Sequence, residues 1–341
     1  MAKIDDSLSS AAGRRALRRI RRFAPPAVAI AGAALLSGCS LRLLDPAGPV
    51  GASERTLLLN ALAVMLCIVI PTIVATLAFA WWFRAGNTKA EHLPTWAFSG
   101  RVEIVTWSVP LLTIMFLGGI AWIGSHELDP AVPLAGSKKP IEIQVVSLDW
   151  KWLFIYPDEK VASLNQLVIP AGTPVHFSLT SSGVWNSFFV PQLGSMIYTM
   201  SGMTTQLNLQ ADREGTYYGM SSHLSGEGFA DMHFDVKALS DDGYAAWLQQ
   251  AQSASATLDG EAYNALAKQS TNNPSMTYRV ADADLFQKIV SLRLPPGPGP
   301  APQTASGSDP HPGLTLELGP TPAPGLAQGA PICVGSPKGG S

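Results

Sequence analysis

Cysteine is nearly absent from this chain of 341 residues: it has three, Cys39, Cys67 and Cys333. They fall in a leader, an apolar run and a proline-rich tail, and that spacing supports neither a disulfide framework nor a clustered metal site. Charge is also scarce. Only 14% of residues are charged and the net charge is −2, so nothing resembles the basic patch of a nucleic-acid-binding protein. No internal repeat is present, which excludes a solenoid or propeller. Few charges, with 47% hydrophobic residues gathered in blocks, describe a membrane protein with a soluble part.

The N-terminus reads as an export signal. Residues 14–22 are RRALRRIRR, residues 23–36 are apolar, and Leu36-Ser37-Gly38-Cys39 follows. A basic start, a short apolar core and small residues before a cleavage point are the parts of a secretory signal. The tetrad LSGC looks like a bacterial lipobox, in which cleavage before Cys39 is coupled to its lipidation. The mature chain then begins at Cys39, residues 1–38 carry no fold, and the acyl (palmitate) chains add roughly 0.8 kcal/mol of membrane affinity per buried methylene. The bland alternative is a short hydrophobic anchor with an incidental cysteine.

Two apolar runs come next, at about 57–83 and 104–123, each long enough to cross a bilayer. Pro71 should kink the first, and Cys67 within it reads as a small apolar filler. Trp81, Trp82, Trp107 and Trp122 sit near the ends, as interfacial aromatics do. The connecting loop carries Arg84, Lys89 and Arg101. The positive-inside rule makes that loop cytoplasmic and everything after about residue 125 periplasmic.

From residue 140 the period becomes two. Ile141, Ile143 and Val145 alternate with polar residues, as do Val175, Phe177 and Leu179; Leu207 and Leu209, then Met232, Phe234 and Val236, follow. With turn signals between them, these runs predict an antiparallel β-sandwich over residues 140–238. From 240 to 294 the pattern is helical. Ser240 can cap a helix through Tyr244, Trp247 and Leu248, and weaker helical patterns lie at 261–269 and 281–293. Residues 295–341 are rich in Pro, Gly, Ala and Ser, a composition that predicts disorder.

Three motifs carry a family resemblance: Asp149-Trp150-Lys151-Trp152-Leu153-Phe154-Ile155-Tyr156-Pro157, Asn186-Ser187-Phe188-Phe189-Val190-Pro191, and Gly215-Thr216-Tyr217-Tyr218-Gly219 running into Ser221–Met232. With two spans ahead of them, over roughly residues 36–290, the chain resembles subunit II of the haem–copper respiratory oxidases. The resemblance implies a two-helix transmembrane hairpin, a cupredoxin-like sandwich and a short helical C-terminal extension. Members that oxidise cytochrome c carry a binuclear copper centre here, held by a His in an H-S-aromatic-x-V-P run and by a C-x-E-x-C-x-x-x-H-x-x-M run. In this chain Asn186 stands for the first His, Ser221 and Ser225 for the cysteines, His223 for the Glu and Phe229 for the second His; only Met232 survives. Hydroxyls do not replace the soft thiolates that copper needs, so Met232 reads as a core residue and no metal site is expected.

That loss, and the run Asn186–Pro191 with Gly194, Ser195, Ile197, Tyr198 and Met200, resembles the cytochrome bo-type ubiquinol oxidases. The resemblance implies a subunit without catalytic residues or cofactors of its own, in the bacterial inner membrane. Haems, copper and the ubiquinol site would belong to a partner subunit I, with subunits III and IV and membrane lipid as further partners. It also implies a place for Glu103 near the entrance of a proton channel in subunit I; from the sequence alone Glu103 reads as an interfacial charge just before the second span. His176, His223 and His233 read as strand and loop histidines, with a new mononuclear site as the competing reading. Trp150, Trp152, Phe154 and Tyr156 alternate along one strand and read as packing. Two other functions stay open: a cytochrome c oxidase subunit, and a free-standing membrane lipoprotein.

Overall fold

A computed structural model describes residues 42–91, 93–134 and 138–299. The expected signal, Cys39 and its lipidation, Cys333, and all but the first five residues of the Pro/Gly-rich tail lie outside the described residues.

Two long helices open the chain, α1 (Pro49–Trp82) and α2 (Gly100–Glu127). Pro49 suits the first turn of α1, where a missing N–H costs nothing. Pro71 and Pro110 lie inside the two helices, and the Thr72 and Thr113 hydroxyls bond back to the carbonyls of Ile68 and Val109 at 2.7 and 2.8 Å. Both helices exceed the apolar runs, because polar residues continue the helical turns beyond the hydrocarbon. The α1 extension, residues 49–56, is seated on the β-domain: Gly51 N donates to Leu193 O at 3.0 Å and Ser195 Oγ to Glu54 Oε1 at 2.6 Å. Gly48 permits this approach, since a Cβ there would lie 2.0 Å from Gln210 O.

The two helices meet at this same end, where a Cβ on Gly124 would strike Leu57. A partly covered stripe of Leu57, Ala61, Val64 and Ile68 on α1 matches Thr113, Leu117 and Ile120 on α2, the 3–4 spacing of paired helices. From residue 69 to the end of α1 every residue is exposed.

Among the described residues twelve strands follow, the last two, β11 (Thr257–Leu258) and β12 (Met276–Val280), in the extension. One sheet runs β11-β12-β3-β2-β1-β5-β8 and the other β4-β10-β9-β6-β7. The first holds β1 (Ile141–Leu148), β2 (Lys151–Tyr156), β3 (Val161–Leu164), β5 (Val175–Ser181) and β8 (Thr205–Leu209). The second holds β4 (Gln166–Pro170), β6 (Asn186–Val190), β7 (Gly194–Thr199), β9 (Gly215–Ser221) and β10 (His233–Leu239). The expected antiparallel sandwich is corrected in one respect: β1 pairs with β5, and β10 with β4, in parallel. The cause is the passage of the chain from one sheet to the other between β3 and β4. Asn165 makes that corner at φ 52, a conformation asparagine tolerates. Its Oδ1 accepts from Trp152 N at 2.9 Å, and its Nδ2 donates to Asn273 O at 2.9 Å.

The core between the sheets holds Trp152, Phe154, Phe177, Phe188 and Phe234. Phe188 lies 5.2–6.4 Å, ring to ring, from the other four. A second core lies on the outer face of the first sheet, where Leu153, Ile155, Ala162 and Leu164 meet Tyr263, Leu285, Phe286 and Ile289.

The extension supplies this second layer through helices α3 (Asp241–Gln252), α4 (Gly260–Leu266) and α5 (Leu285–Val290). Ser240 caps α3 by accepting from Gly243 N at 3.2 Å. The sequence pattern named only helices here. The structure adds β11 (Thr257–Leu258) and β12 (Met276–Val280), and β12 pairs antiparallel with β3, with Met276 opposite Leu164.

Candidate functional site: the lost copper position

The six residues at the family's copper positions gather at one end of the sandwich. Asn186 opens β6, Ser221 closes β9, and Met232 precedes β10. The helices attach at the other end, where β7 begins. Asn186, Ser221, Ser225 and Met232 are buried, Phe229 is half-buried and His223 is exposed.

Hydrogen bonds now fill the place. Ser221 Oγ lies 3.2 Å from both Asn186 Oδ1 and His223 O, and donates to one of them. Asn186 Nδ2 donates to Val184 O at 3.2 Å. Ser225 Oγ lies 3.9 Å from Met232 Sδ. Ser221 N donates to Met232 O at 3.1 Å, which closes the loop 222–231 onto the strand. This donor set does not fit copper: it offers one thioether, no thiolate and no imidazole pair. Among the described residues, no three His, Cys, Asp or Glu side chains gather where they could hold a metal ion.

The three histidines lie apart. His176, partly buried at the start of β5, shares its Nδ1 with Asn208 Oδ1 at 2.9 Å and is 4.0 Å from Glu142. His223 meets the edge of Tyr198, and His233 stacks on Tyr218, each at 5.8 Å.

The aromatic segment is where sequence reasoning missed most. Trp152, Phe154 and Tyr156 do alternate into the core along β2. Trp150 does not belong to that strand; it turns between β1 and β2 at φ 64. A tryptophan there is strained, and two contacts offset the cost. Its Nε1 donates to Ser225 O at 3.2 Å, and its ring lies on Gly228, where a Cβ would come within 2.3 Å. Trp150 therefore pins the loop 222–231 against the turn between β1 and β2.

Its neighbours hold the extension and the first residues of the tail. The Asp149 carboxylate accepts from Gly299 N at 2.9 Å, while Lys151 Nζ donates to Lys268 O and Ser270 Oγ, each at 2.6 Å. Burial lowers the Lys151 pKa to about 8, against the opposing pull of Asp149. In the unfolded chain this lysine titrates near 10.5. Between those values the unfolded state binds more protons at this group, so the Lys151 contribution to stability rises with pH across the window and is flat below it. Relative to Lys151→Met, thermal unfolding of the natural chain should register a gain on the order of 1–2 kcal/mol across the window after solvent screening; the same pH dependence in both chains would assign the effect to other groups.

Glu103 stands in the first turn of α2, which begins at Gly100 ahead of the apolar run, and is exposed.

Comparison with known proteins identifies the family. Residues 159–239 match the family Cytochrome C oxidase subunit II, periplasmic domain, and residues 252–292 match the COX Aromatic Rich Motif. The chain is 47% identical over 264 residues to cytochrome bo(3) ubiquinol oxidase subunit 2 of Pseudomonas aeruginosa, covering 77% of this chain and 80% of that one. It is equally identical over 264 residues to ubiquinol oxidase subunit 2 of Acetobacter aceti, covering 77% and 86%. Among solved structures, the periplasmic domain of subunit II of cytochrome oxidase of Bradyrhizobium japonicum is 23% identical, with a TM-score of 0.32 over 34% of this chain and 96% of that one. With two apolar helices, a cupredoxin-like sandwich and relatives at this identity, the chain belongs to the ubiquinol oxidase subunit 2 family, a membrane component of an oxidoreductase complex.

Proposed function

We propose that this subunit transfers no electrons itself and serves the complex by clamping and capping its catalytic partner. The complex would oxidise ubiquinol, reduce dioxygen to water and move protons outward. Haems, copper and the quinol site would belong to subunit I, with subunits III and IV completing the assembly. The observation that carries this reading is the copper position, where Ser221, Ser225 and Asn186 form a buried hydrogen-bonded set with no soft ligand but Met232. Exposed apolar faces on α1 and α2 support a clamp, since membrane helices associate by packing. Lipidation of Cys39 would add a further anchor on the periplasmic side.

The test is oxygen uptake by the purified, detergent-solubilised complex with ubiquinol or reduced cytochrome c as donor. Uptake with ubiquinol alone is the expected result. Uptake with cytochrome c would refute the loss of the electron port, and a preparation without haem would point to a free-standing lipoprotein.

Glu103 has a role in the same proposal. Its carboxylate, one turn into α2 at the cytoplasmic boundary, would feed protons to a channel of subunit I. Glu103→Ala should slow turnover several-fold while leaving haem content unchanged. Unchanged turnover and haem reduction rate would assign Glu103 to the interface alone.

A further inference from the structure

The loop joining α1 to α2 is rich in uncovered aromatic surface. Leu93, Trp96 and Phe98 are 57%, 63% and 68% exposed. Trp81, Trp82 and Phe83, at the end of α1, are exposed as well. Cations alternate with these rings: Arg84, Lys89 and Arg101 are all exposed. Arg84 lies 5.1 Å over the Trp81 ring and donates to Trp81 O at 2.9 Å. The described residues of the loop have turns but no regular element. Asn87 and Trp96 donate to the carbonyls of Arg84 and Leu93 at 2.9 and 3.2 Å, and Phe98 folds back to within 3.6 Å of a Cβ placed on Gly100.

Water is a poor setting for this loop, since each exposed ring carries a cost of roughly 25 cal/mol per Å² of apolar surface. Its place is also fixed. Both ends are the ends of membrane spans, so the loop cannot leave the plane where those helices emerge. With the β-domain periplasmic, that plane is the cytoplasmic face. The composition matches a headgroup layer better than a protein partner: interface cores lose charge, whereas interfacial membrane segments interleave aromatics with Lys and Arg.

We propose that the loop between α1 and α2, with the first turn of α2, forms a membrane-surface element in which Leu93, Trp96 and Phe98 insert into the cytoplasmic headgroup layer while Arg84 and Lys89 of the loop and Arg101 of α2 engage phospholipid phosphates. The occupant is the bilayer surface. The element sets the depth at which α2 enters the membrane. This inference goes beyond the proposed function and is independent of the electron donor.

The test uses the whole complex reconstituted into vesicles of phosphatidylethanolamine and phosphatidylglycerol, with a benzophenone amino acid in place of Trp96. Irradiation should add the mass of one phospholipid to this subunit. A crosslink to another protein chain would overturn the proposal, and so would the absence of any adduct, which would place the loop in water. In parallel, the triple variant Arg84→Gln, Lys89→Gln, Arg101→Gln should retain at least one phospholipid fewer per complex after detergent washing; an unchanged count would remove the cations from the proposal. Haem content measured on the same samples reports separately whether the oxidase has assembled.

Discussion

Phe188→Ala should lower the melting temperature of the β-domain by about 6–20 °C. The ring is fully buried and touches four other aromatics, Trp152, Phe154, Phe177 and Phe234. Removing it leaves a cavity that rigid neighbouring rings fill poorly, at a cost of roughly 3–5 kcal/mol. In a domain of this size each kcal/mol moves the midpoint by about 2–4 °C. Circular dichroism of the detergent-solubilised chain would measure it. Phe188→Leu, which keeps most of the volume, should cost far less; equal losses in the two variants would show that ring stacking, not volume, holds the core.

Rebuilding the ligand set should give a chain that retains copper at a place where the present side chains do not fit the metal. The substitutions are Asn186→His, Ser221→Cys, His223→Glu, Ser225→Cys and Phe229→His, with Met232 kept. The backbone needed for this is in place. Ser221 stands beside Asn186, Ser225 stands beside Met232, and Trp150 holds the loop between them. Each Ser→Cys change puts a soft sulfur where a hydroxyl lies now, and two thiolates are what copper lacks here. Metal analysis and a thiolate-to-copper absorption band should both turn positive, while the variant with only His and Glu introduced stays metal-free. A folded five-fold variant that binds no copper would mean that the loop has closed beyond what ligand chemistry can reopen.

How much of this was readable in the residues depended on whether burial was one-sided. The spans were legible because their apolar runs exceed a bilayer's thickness. β1, β5, β8 and β10 showed period two because polar residues alternate through them. β2 hides its period, since Leu153 and Ile155 enter one core while Trp152, Phe154 and Tyr156 enter the other. β12 was missed because Met276–Val280 has meaning only beside β3, and no local pattern reports a partner so distant. The parallel pairings left no periodic trace. At the site, the positions Asn186, Ser221, His223, Ser225, Phe229 and Met232 were implied by the family resemblance, and the fold brings them to one end of the sandwich. The positive φ of Trp150 was not legible, because tryptophan carries no propensity for it. Nor was the burial of Lys151, whose acceptors, Lys268 O and Ser270 Oγ, lie more than a hundred residues away.

The pairing of β12 with β3 also sets a timetable for biogenesis. Strand β3 emerges from the export machinery long before residues 276–280, and until they arrive its outer edge offers unpaired N–H and C=O groups to any passing strand. Contacts this distant in sequence form slowly. The nascent domain therefore spends its riskiest interval half-finished, with that edge open to chaperones and proteases alike. A chain cut before Met276 would remain at that stage permanently.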